Sequence, residues 1–236
     1  MASLNFTWKV SPEVGSVDEN GLFTAGADNA KGELTVTCGD KTVTIDVEVK
    51  GNPFVDTKTH WAKEYITALY FEGVLQGSHN AAGELVYRPD DSMTRQEFIV
   101  SLIRWLGVDM AQYADVTLPF ADSDQISSWA QEAMKTAYRL GYLTGSGSGE
   151  KLYANPTDTI TREAAMTILA RTAQLESDSD ALAQFSDAAA VSGWAKPALT
   201  AMVELEVING SGGQLRPQGN VTRAQVAKML CSMPET

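Results

Sequence analysis

Three arginines stand at the same position of a motif that the chain carries three times. Thr-Arg occurs at residues 94–95, 161–162 and 222–223, each time ahead of apolar residues at helical spacing. A threonine there is typical of a helix N-cap, so each arginine takes the first helical position, where a cation opposes the helix dipole. A guanidinium beside the N–H groups of a helix start also offers a planar fork to a carboxylate. Because the unfavourable placement recurs three times, it favours anion binding over the alternative, an arginine that is solvated or paired with a nearby aspartate.

The same landmarks precede each Thr-Arg pair in the same order. Phe-x-Asp begins at residues 54, 120 and 185 and is followed by Trp-Ala, a turn rich in glycine and a proline. Landmarks that recur in register indicate a threefold sequence repeat. The candidate binding residues at recurring positions are Arg95, Arg162, Arg223, Asp56, Asp122, Asp187, Trp61, Trp129, Trp194, Gly77, Gly145 and Gly210.

Each repeat predicts two amphipathic helices joined by a loop. In the first repeat, one helix begins at Trp61 and ends at Gly73, and a second begins after Thr94, which fits a capping box with Glu97. A helix pair this short cannot bury its own apolar stripe, whereas three pairs around a common axis can. The sequence therefore predicts a mainly α protein with one pseudo-threefold helical unit over residues 54–233.

Residues 1–50 predict β structure instead. Apolar residues alternate from Phe6 to Val10, from Leu34 to Cys38 and from Val43 to Val49. Gly39-Asp40 makes a tight turn between the last two runs, so we expect these runs to form a hairpin.

The composition of this 236-residue chain argues against several classes of binding partner. Its formal net charge of −12 argues against nucleic acid, whose phosphates require a basic face, and against an anionic membrane surface. No apolar run is long enough for membrane insertion. We expect no catalytic site, cofactor or metal, because the two histidines have no recurring Ser or Cys partner. Cys38 and Cys231 are expected to be unrelated apolar side chains, with a disulfide between them as the alternative.

The landmarks resemble a known family. Phe-x-Asp, Trp-Ala, Gly-x-x-x-Gly, Pro and Thr-Arg-x-Glu in this order are similar to the S-layer homology (SLH) motif, of which three tandem copies are usual. The stretch from Trp8 to Ala25 resembles the second half of a bacterial Ig-like (group 2) domain. The resemblance implies a three-pronged helical spindle, the pseudo-threefold SLH trimer, after a small β segment from an Ig-like sandwich. The expected domains are a partial Ig-like segment at 1–50, a linker at 51–53 and SLH repeats at 54–110, 111–176 and 177–236.

The SLH resemblance also implies a function, the non-covalent anchoring of a secreted bacterial protein to pyruvylated secondary cell-wall polysaccharide. The three arginines would hold the pyruvyl carboxylate. The aspartates would bond sugar hydroxyls, hold the arginine, or cap the loop before the tryptophan helix. The tryptophans would stack on a sugar ring, although the start of an amphipathic helix favours a core position with one edge exposed. The glycines would permit tight turns and close approach of the backbone to the sugar.

The three copies differ at the fourth motif position, where Glu97, Ala164 and Gln225 stand. This difference argues against equal affinity of three sites. We expect a monomeric module of a longer chain, located outside the cell at the bacterial wall or surface layer. For the parent protein, two alternatives are an enzyme that the module targets to the wall and a self-assembling surface lattice that has the repeats as its wall-facing end.

Overall fold

The computed structural model describes residues 5–26, 29–147 and 151–234. The N-terminal part consists of five strands, and two short strands lie in the first repeat. The strands are β1 (Phe6–Val10), β2 (Gly15–Val17), β3 (Phe23–Ala25), β4 (Ala30–Cys38), β5 (Lys41–Val49), β6 (Ser78–His79) and β7 (Leu85–Val86).

Strands β1, β4 and β5 form an antiparallel sheet in that order. The register places Trp8 opposite Val36 and Val36 opposite Val43. Since side chains alternate between the two faces of a strand, the apolar residues share one face and the threonines and charges share the other. The predicted hairpin is confirmed, because Cys38 pairs with Lys41 across a two-residue turn in which Gly39 has a φ of 61°.

The three repeats supply two α-helices each, of 9 to 11 residues. The helices are α1 (Lys63–Phe71), α2 (Arg95–Trp105), α3 (Gln131–Arg139), α4 (Arg162–Thr172), α5 (Lys196–Glu204) and α6 (Arg223–Ser232). Threonine caps the second helix of each repeat, as predicted, and the capping box of Thr94 with Glu97 is confirmed. Every helix among the described residues is too short or too polar to cross a lipid bilayer.

The helices pack between repeats rather than within them. Helix α2 of the first repeat packs on α3 of the second, α4 on α5 of the third, and α6 on α1 of the first. The buried apolar side chains of all three repeats join in one core. Each apolar stripe is therefore covered by a neighbouring repeat, which ties the repeats into one folded unit.

A ring of three backbone hydrogen bonds joins the repeats at the residues two positions before the arginines. Met93 N donates to Val221 O (3.0 Å), Val221 N to Ile160 O (3.1 Å), and Ile160 N to Met93 O (3.0 Å). All three side chains are buried. Because each repeat donates to one neighbour and accepts from the other, the ring fixes the relative rotation of the three helix starts.

The prediction of a mainly α protein is wrong. The structure is 34% helical and 20% strand. The helices are short, and most of each repeat is loop, short 3₁₀ turn and isolated β-bridge. The long strands β4 and β5 of the N-terminal sheet also raise the strand content of the chain. Helical periodicity identified where helices lie but overestimated how much of each repeat they occupy.

Both cysteines are free thiols. Cys38 lies in β4 of the sheet and Cys231 lies in α6. This agrees with the interpretation of the two cysteines as unrelated side chains.

Candidate binding grooves

Each of the three predicted aspartates holds the loop of its own repeat. Asp56 accepts from the N–H groups of Tyr87 (2.9 Å) and Arg88 (2.7 Å) through its two carboxylate oxygens. The equivalent bonds join Asp122 to Ala154 and Asn155, and Asp187 to Leu215 and Arg216. Each carboxylate thereby fixes the turn that leads to the second helix.

The second residue in each of these pairs has an unusual backbone. Arg88, Asn155 and Arg216 have φ of 58°, 49° and 53°. An arginine adopts this left-handed region at a cost, and the two charge-assisted hydrogen bonds of the aspartate offset that cost. Burial opposes ionisation of Asp187, but the N–H groups of Leu215 and Arg216 outweigh it and lower the pKa of this carboxyl.

The three predicted glycines let a phenylalanine of the same repeat approach the turn. A Cβ on Gly77 would lie 2.4 Å from the ring of Phe54, and one on Gly210 would lie 2.7 Å from the ring of Phe185. At Gly145 the corresponding distance, to Phe120, is 2.5 Å. The glycines are therefore needed for packing within the repeat, whatever approaches from outside.

Replacement of Gly77 by alanine tests this packing. We expect Gly77→Ala to destabilise the protein by about 1–3 kcal/mol, because the new methyl group overlaps both Phe54 and the carbonyl oxygen of Val86, 2.6 Å away. Thermal unfolding followed by circular dichroism measures the change. The control is Gly193→Ala, where an added Cβ meets no atom within 4 Å and φ is not positive. Equal melting temperatures for the two variants would contradict the packing role.

Arg223 is the most enclosed of the three predicted arginines, with 9% of its surface exposed. Its Nε donates to Tyr87 O (2.9 Å) and its Nη2 to Gln76 O (2.8 Å), while Nη1 lies 3.7 Å from Glu97 Oε1. The guanidinium also stacks 4.4 Å above the ring of Tyr87. Burial is the main reason why the pKa of Tyr87 rises to about 12, against the opposing charge of Arg223.

Arg162 makes the corresponding contacts one repeat away. Its Nε donates to Leu215 O (2.9 Å) and its Nη1 donates to Gln225 Oε1 (2.9 Å). Burial lowers the pKa of the Arg162 guanidinium, and the nearby cation Arg216 lowers it further, whereas Asp187 raises it. Arg162 and Arg216 are therefore close enough for their charges to interact.

Arg95 differs from the other two. Its Nε is buried and has no hydrogen-bond partner among the described residues. Burial lowers the pKa of its guanidinium, and Arg171 adds to this effect.

The helix N–H groups beside the arginines are already bonded, which corrects the expectation that they are free for a ligand. The N–H of Arg162 donates to Gly219 O (2.8 Å) and that of Glu163 to Pro217 O (3.0 Å), and equivalent bonds exist in the other two repeats. The carbonyl acceptors come from the neighbouring repeat because the repeats pack with each helix start against the next repeat's loop. The backbone N–H groups at the helix starts are therefore not free to bind an anion.

The tryptophans lie at the surface rather than in the core that the helix pattern favoured. Trp61, Trp129 and Trp194 are 57%, 55% and 58% exposed. The helices begin two residues later, at Lys63, Gln131 and Lys196, so each indole sits in the turn before its helix. More than half of the surface of each tryptophan is therefore available for contact with a ligand.

Two cavities bring the predicted residues together. Groove A, of about 430 Å³, surrounds Arg223 and is lined by Gly77, Arg88, Glu97, Arg104 and Trp129. Groove B, of about 510 Å³, surrounds Arg162 and is lined by Trp61, Gly210, Arg216, Gln225 and Lys228. Each groove takes its tryptophan, its helix-start arginine and its glycine turn from three different repeats, not from two.

The third set of residues does not meet in the same way. Trp194 lines a cavity with Arg171 and Glu176, and neither Arg95 nor Gly145 is among the residues that line it. Residues 148–150, next to this turn, lie outside the described part of the chain.

Sequence reasoning missed the second cations of the grooves. Arg88 and Arg216 precede the recurring proline in the first and third repeats, and the second repeat has Asn155 there. The sequence feature that could have identified them is a basic residue directly before the proline in two of the three copies. Together with Arg104 in groove A and Lys228 in groove B, these residues make both grooves basic in a chain of net charge −12.

Comparison with protein families agrees with this architecture. The S-layer homology domain model matches residues 53–99, 119–166 and 184–227, which together are more than half of the chain. The chain belongs to the S-layer homology domain family. The prediction of three SLH domains is confirmed, whereas the Ig-like assignment of residues 1–50 has no counterpart in this match.

Several curated proteins resemble this SLH chain along most of its length. An amylopullulanase of Thermoanaerobacterium thermosulfurigenes is 30% identical over 77% of the chain, and an endoglucanase of Bacillus sp. (strain KSM-635) is 32% identical over 79%. The S-layer protein sap of Bacillus anthracis is 24% identical over 80%. The chain spans 9%, 19% and 22% of the lengths of these proteins.

The SLH domain is a binding and anchoring module, and the enzymes among the relatives owe their names to other domains. Similarity to S-layer proteins indicates a location at the bacterial cell wall or surface, outside the cell. The expected localisation is therefore confirmed, and the family supports a role in cell-wall anchoring.

Proposed function

We propose that the three SLH domains attach a longer surface protein to the cell wall by binding pyruvylated secondary cell-wall polysaccharide in grooves A and B. One observation carries this proposal: each groove combines a buried or half-buried arginine, further cations and an exposed tryptophan in an otherwise acidic chain. The pyruvyl group supplies a carboxylate for the cations, and a pyranose ring supplies an apolar face for the indole.

Geometry supports a carboxylate as the ligand group. In groove B, Arg162 is held by Leu215 O and Gln225, so its planar fork is pre-positioned and loses little side-chain freedom on binding. Arg216 is held beside it through the bonds of Asp187 to its turn. A guanidinium pair can make bidentate, charge-assisted bonds to an anion, which a neutral sugar cannot use.

The tryptophans support a sugar as the body of the ligand. Trp61 in groove B and Trp129 in groove A are more than half exposed, and each lines its groove together with a glycine turn. Flat apolar surface beside polar donors is what a pyranose requires, because its ring has an apolar face and an equatorial rim of hydroxyls. We propose that Gly77 and Gly210 also allow the sugar to approach the turn backbone.

We propose the domain boundaries 54–110, 111–176 and 177–236 for the three SLH domains. Residues 1–50 would then be part of an Ig-like spacer, joined through the linker 51–53. The sheet with one apolar and one polar face supports the spacer. For the parent protein, the relatives support both a wall-directed enzyme and a surface-layer protein, since their names include an endoglucanase and S-layer proteins.

Co-sedimentation with purified cell walls of the producing bacterium tests the proposed function. We expect the chain to sediment with intact walls and to stay in solution when the polysaccharide has been chemically stripped from the peptidoglycan. Walls from which only the pyruvyl groups have been removed should retain it at least about tenfold less, because each occupied groove loses a charge-assisted carboxylate contact. Equal retention on stripped walls would overturn the proposal.

A further inference from the structure

The helix-start arginines of the two grooves face different partners at the fourth motif position of the next repeat. In groove A, Arg223 Nη1 lies 3.7 Å from the carboxylate of Glu97. In groove B, Arg162 Nη1 donates to the neutral amide of Gln225 at 2.9 Å. The second repeat has Ala164 at this position, which offers Arg95 no acceptor atom. The positive charge left for a ligand therefore differs from groove to groove.

Acidic groups also weaken the positive electrostatic potential of groove A at its other cations. Arg88 lies 3.6 Å from the carboxylate of Asp91, so its cation is also shared with an acidic group of the protein. Arg104 is the remaining cation among the lining residues. Glu97 lies inside the groove, where a carboxylate of the protein and one on a ligand repel each other.

Groove B has no carboxylate among its lining residues, all of which are described. Arg162, Arg216 and Lys228 line it. The acidic group that raises the pKa of Arg162 is Asp187, whose two oxygens accept from the N–H groups of Leu215 and Arg216. Asp56 accepts two equivalent backbone hydrogen bonds in the first repeat, so the aspartate at this motif position does not distinguish the two grooves.

We propose that groove B is the high-affinity site for an anionic sugar and that the residue at the fourth motif position, Gln225 against Glu97, sets the order of the two grooves. This inference rests on the proposed function. Glu97 lowers the affinity of groove A by neutralising Arg223 and repelling the ligand, whereas Gln225 holds Arg162 in place without cancelling its charge.

The helix cap does not require the charge difference, so the difference can be tested without disturbing the fold. Thr94 N donates to Glu97 Oε2 (2.8 Å), and Thr222 N donates to Gln225 Oε1 (3.2 Å). Both residues complete a capping box, which accepts Glu or Gln. We therefore expect Glu97→Gln and Gln225→Glu to fold normally, which thermal unfolding checks.

The tryptophans report on the grooves one at a time. The chain has five tryptophans, and Trp61 and Trp129 line different grooves. Labelling with 5-fluorotryptophan gives each indole its own ¹⁹F resonance, assigned by single Trp→Phe variants. The probe is the set of soluble polysaccharide fragments released from purified walls by muramidase digestion. We expect the Trp61 resonance to shift at fragment concentrations about tenfold lower than those that shift Trp129.

The charge exchange then gives opposite results in the two grooves. Gln225→Glu should raise the concentration that shifts Trp61 by about tenfold, and Glu97→Gln should lower the concentration that shifts Trp129 by a similar factor. The double variant should reverse the order of the two resonances.

Two failures are distinguishable. If the Trp61 and Trp129 resonances shift at the same fragment concentration, or if the two substitutions leave these concentrations unchanged, the ranking is overturned while sugar binding stands. If neither resonance shifts in the unmodified protein, polysaccharide binding in the grooves is overturned, and the ranking with it.

Discussion

Replacement of Arg95, Arg162 and Arg223 together by glutamine is expected to lower the affinity for purified cell walls by at least about a hundredfold. Each lost bidentate contact with a carboxylate costs about 1.5–3 kcal/mol, so loss in grooves A and B alone reaches this factor. Co-sedimentation over a range of wall concentrations measures it. Lysine at the same three positions keeps the charges but not the planar fork, and we expect intermediate retention.

The matched control removes the same number of cations elsewhere. Lys9, Lys58 and Arg139 are exposed and line neither groove. Their triple change to glutamine should leave retention within about twofold, since exposed charges away from the ligand are screened by salt. Helical circular dichroism should be unchanged in both triple variants. If the two triple variants bind walls equally well, the arginines are not the ligand-holding groups.

Replacement of Asp122 by alanine is expected to destabilise the protein by about 3–5 kcal/mol. Its carboxylate is buried and accepts from Ala154 N (2.8 Å) and Asn155 N (2.7 Å), so truncation leaves two N–H groups without their partners. The melting temperature should fall by roughly 10 °C. Differential scanning calorimetry or circular dichroism gives the measurement.

Asp124→Ala serves as the control for this change. Asp124 lies two residues away, is exposed, and accepts no hydrogen bond from the described residues. Its replacement should shift the melting temperature by no more than about 2 °C. A similar small shift for Asp122→Ala would show that the turn keeps its shape without the carboxylate.

Much of the local structure was predictable because it depends on neighbours in sequence. The threonine caps, the capping box of Thr94 with Glu97 and the hairpin at Gly39 follow from residues at most a few positions apart. The helix content was not predictable, because apolar periodicity shows which face of a helix is buried but says little about where a short helix ends. The same limit explains the tryptophans: the helices start two residues later than the pattern indicated.

The binding site was predictable only in part. The three arginines, tryptophans and glycines were chosen by their recurrence, and the structure gathers two complete sets of them in grooves A and B. Arg88 and Arg216 were missed because their contribution depends on a turn conformation that Asp56 and Asp187 impose from about thirty residues away. The grooves themselves remain proposed binding sites.

The threefold repeat, the capped helix starts and the arginine at each start can be identified from the amino-acid sequence alone. Recurrence and short-range hydrogen bonding carry this information. The surroundings of each arginine depend on the folded arrangement of the repeats, because those contacts join distant parts of the chain, such as Arg223 with Tyr87 at a separation of 136 residues. The same arrangement satisfies the helix N–H groups through the neighbouring repeat and places a carboxylate beside one arginine and an amide beside another. These contacts form because the three repeats close on one another, which no single repeat encodes.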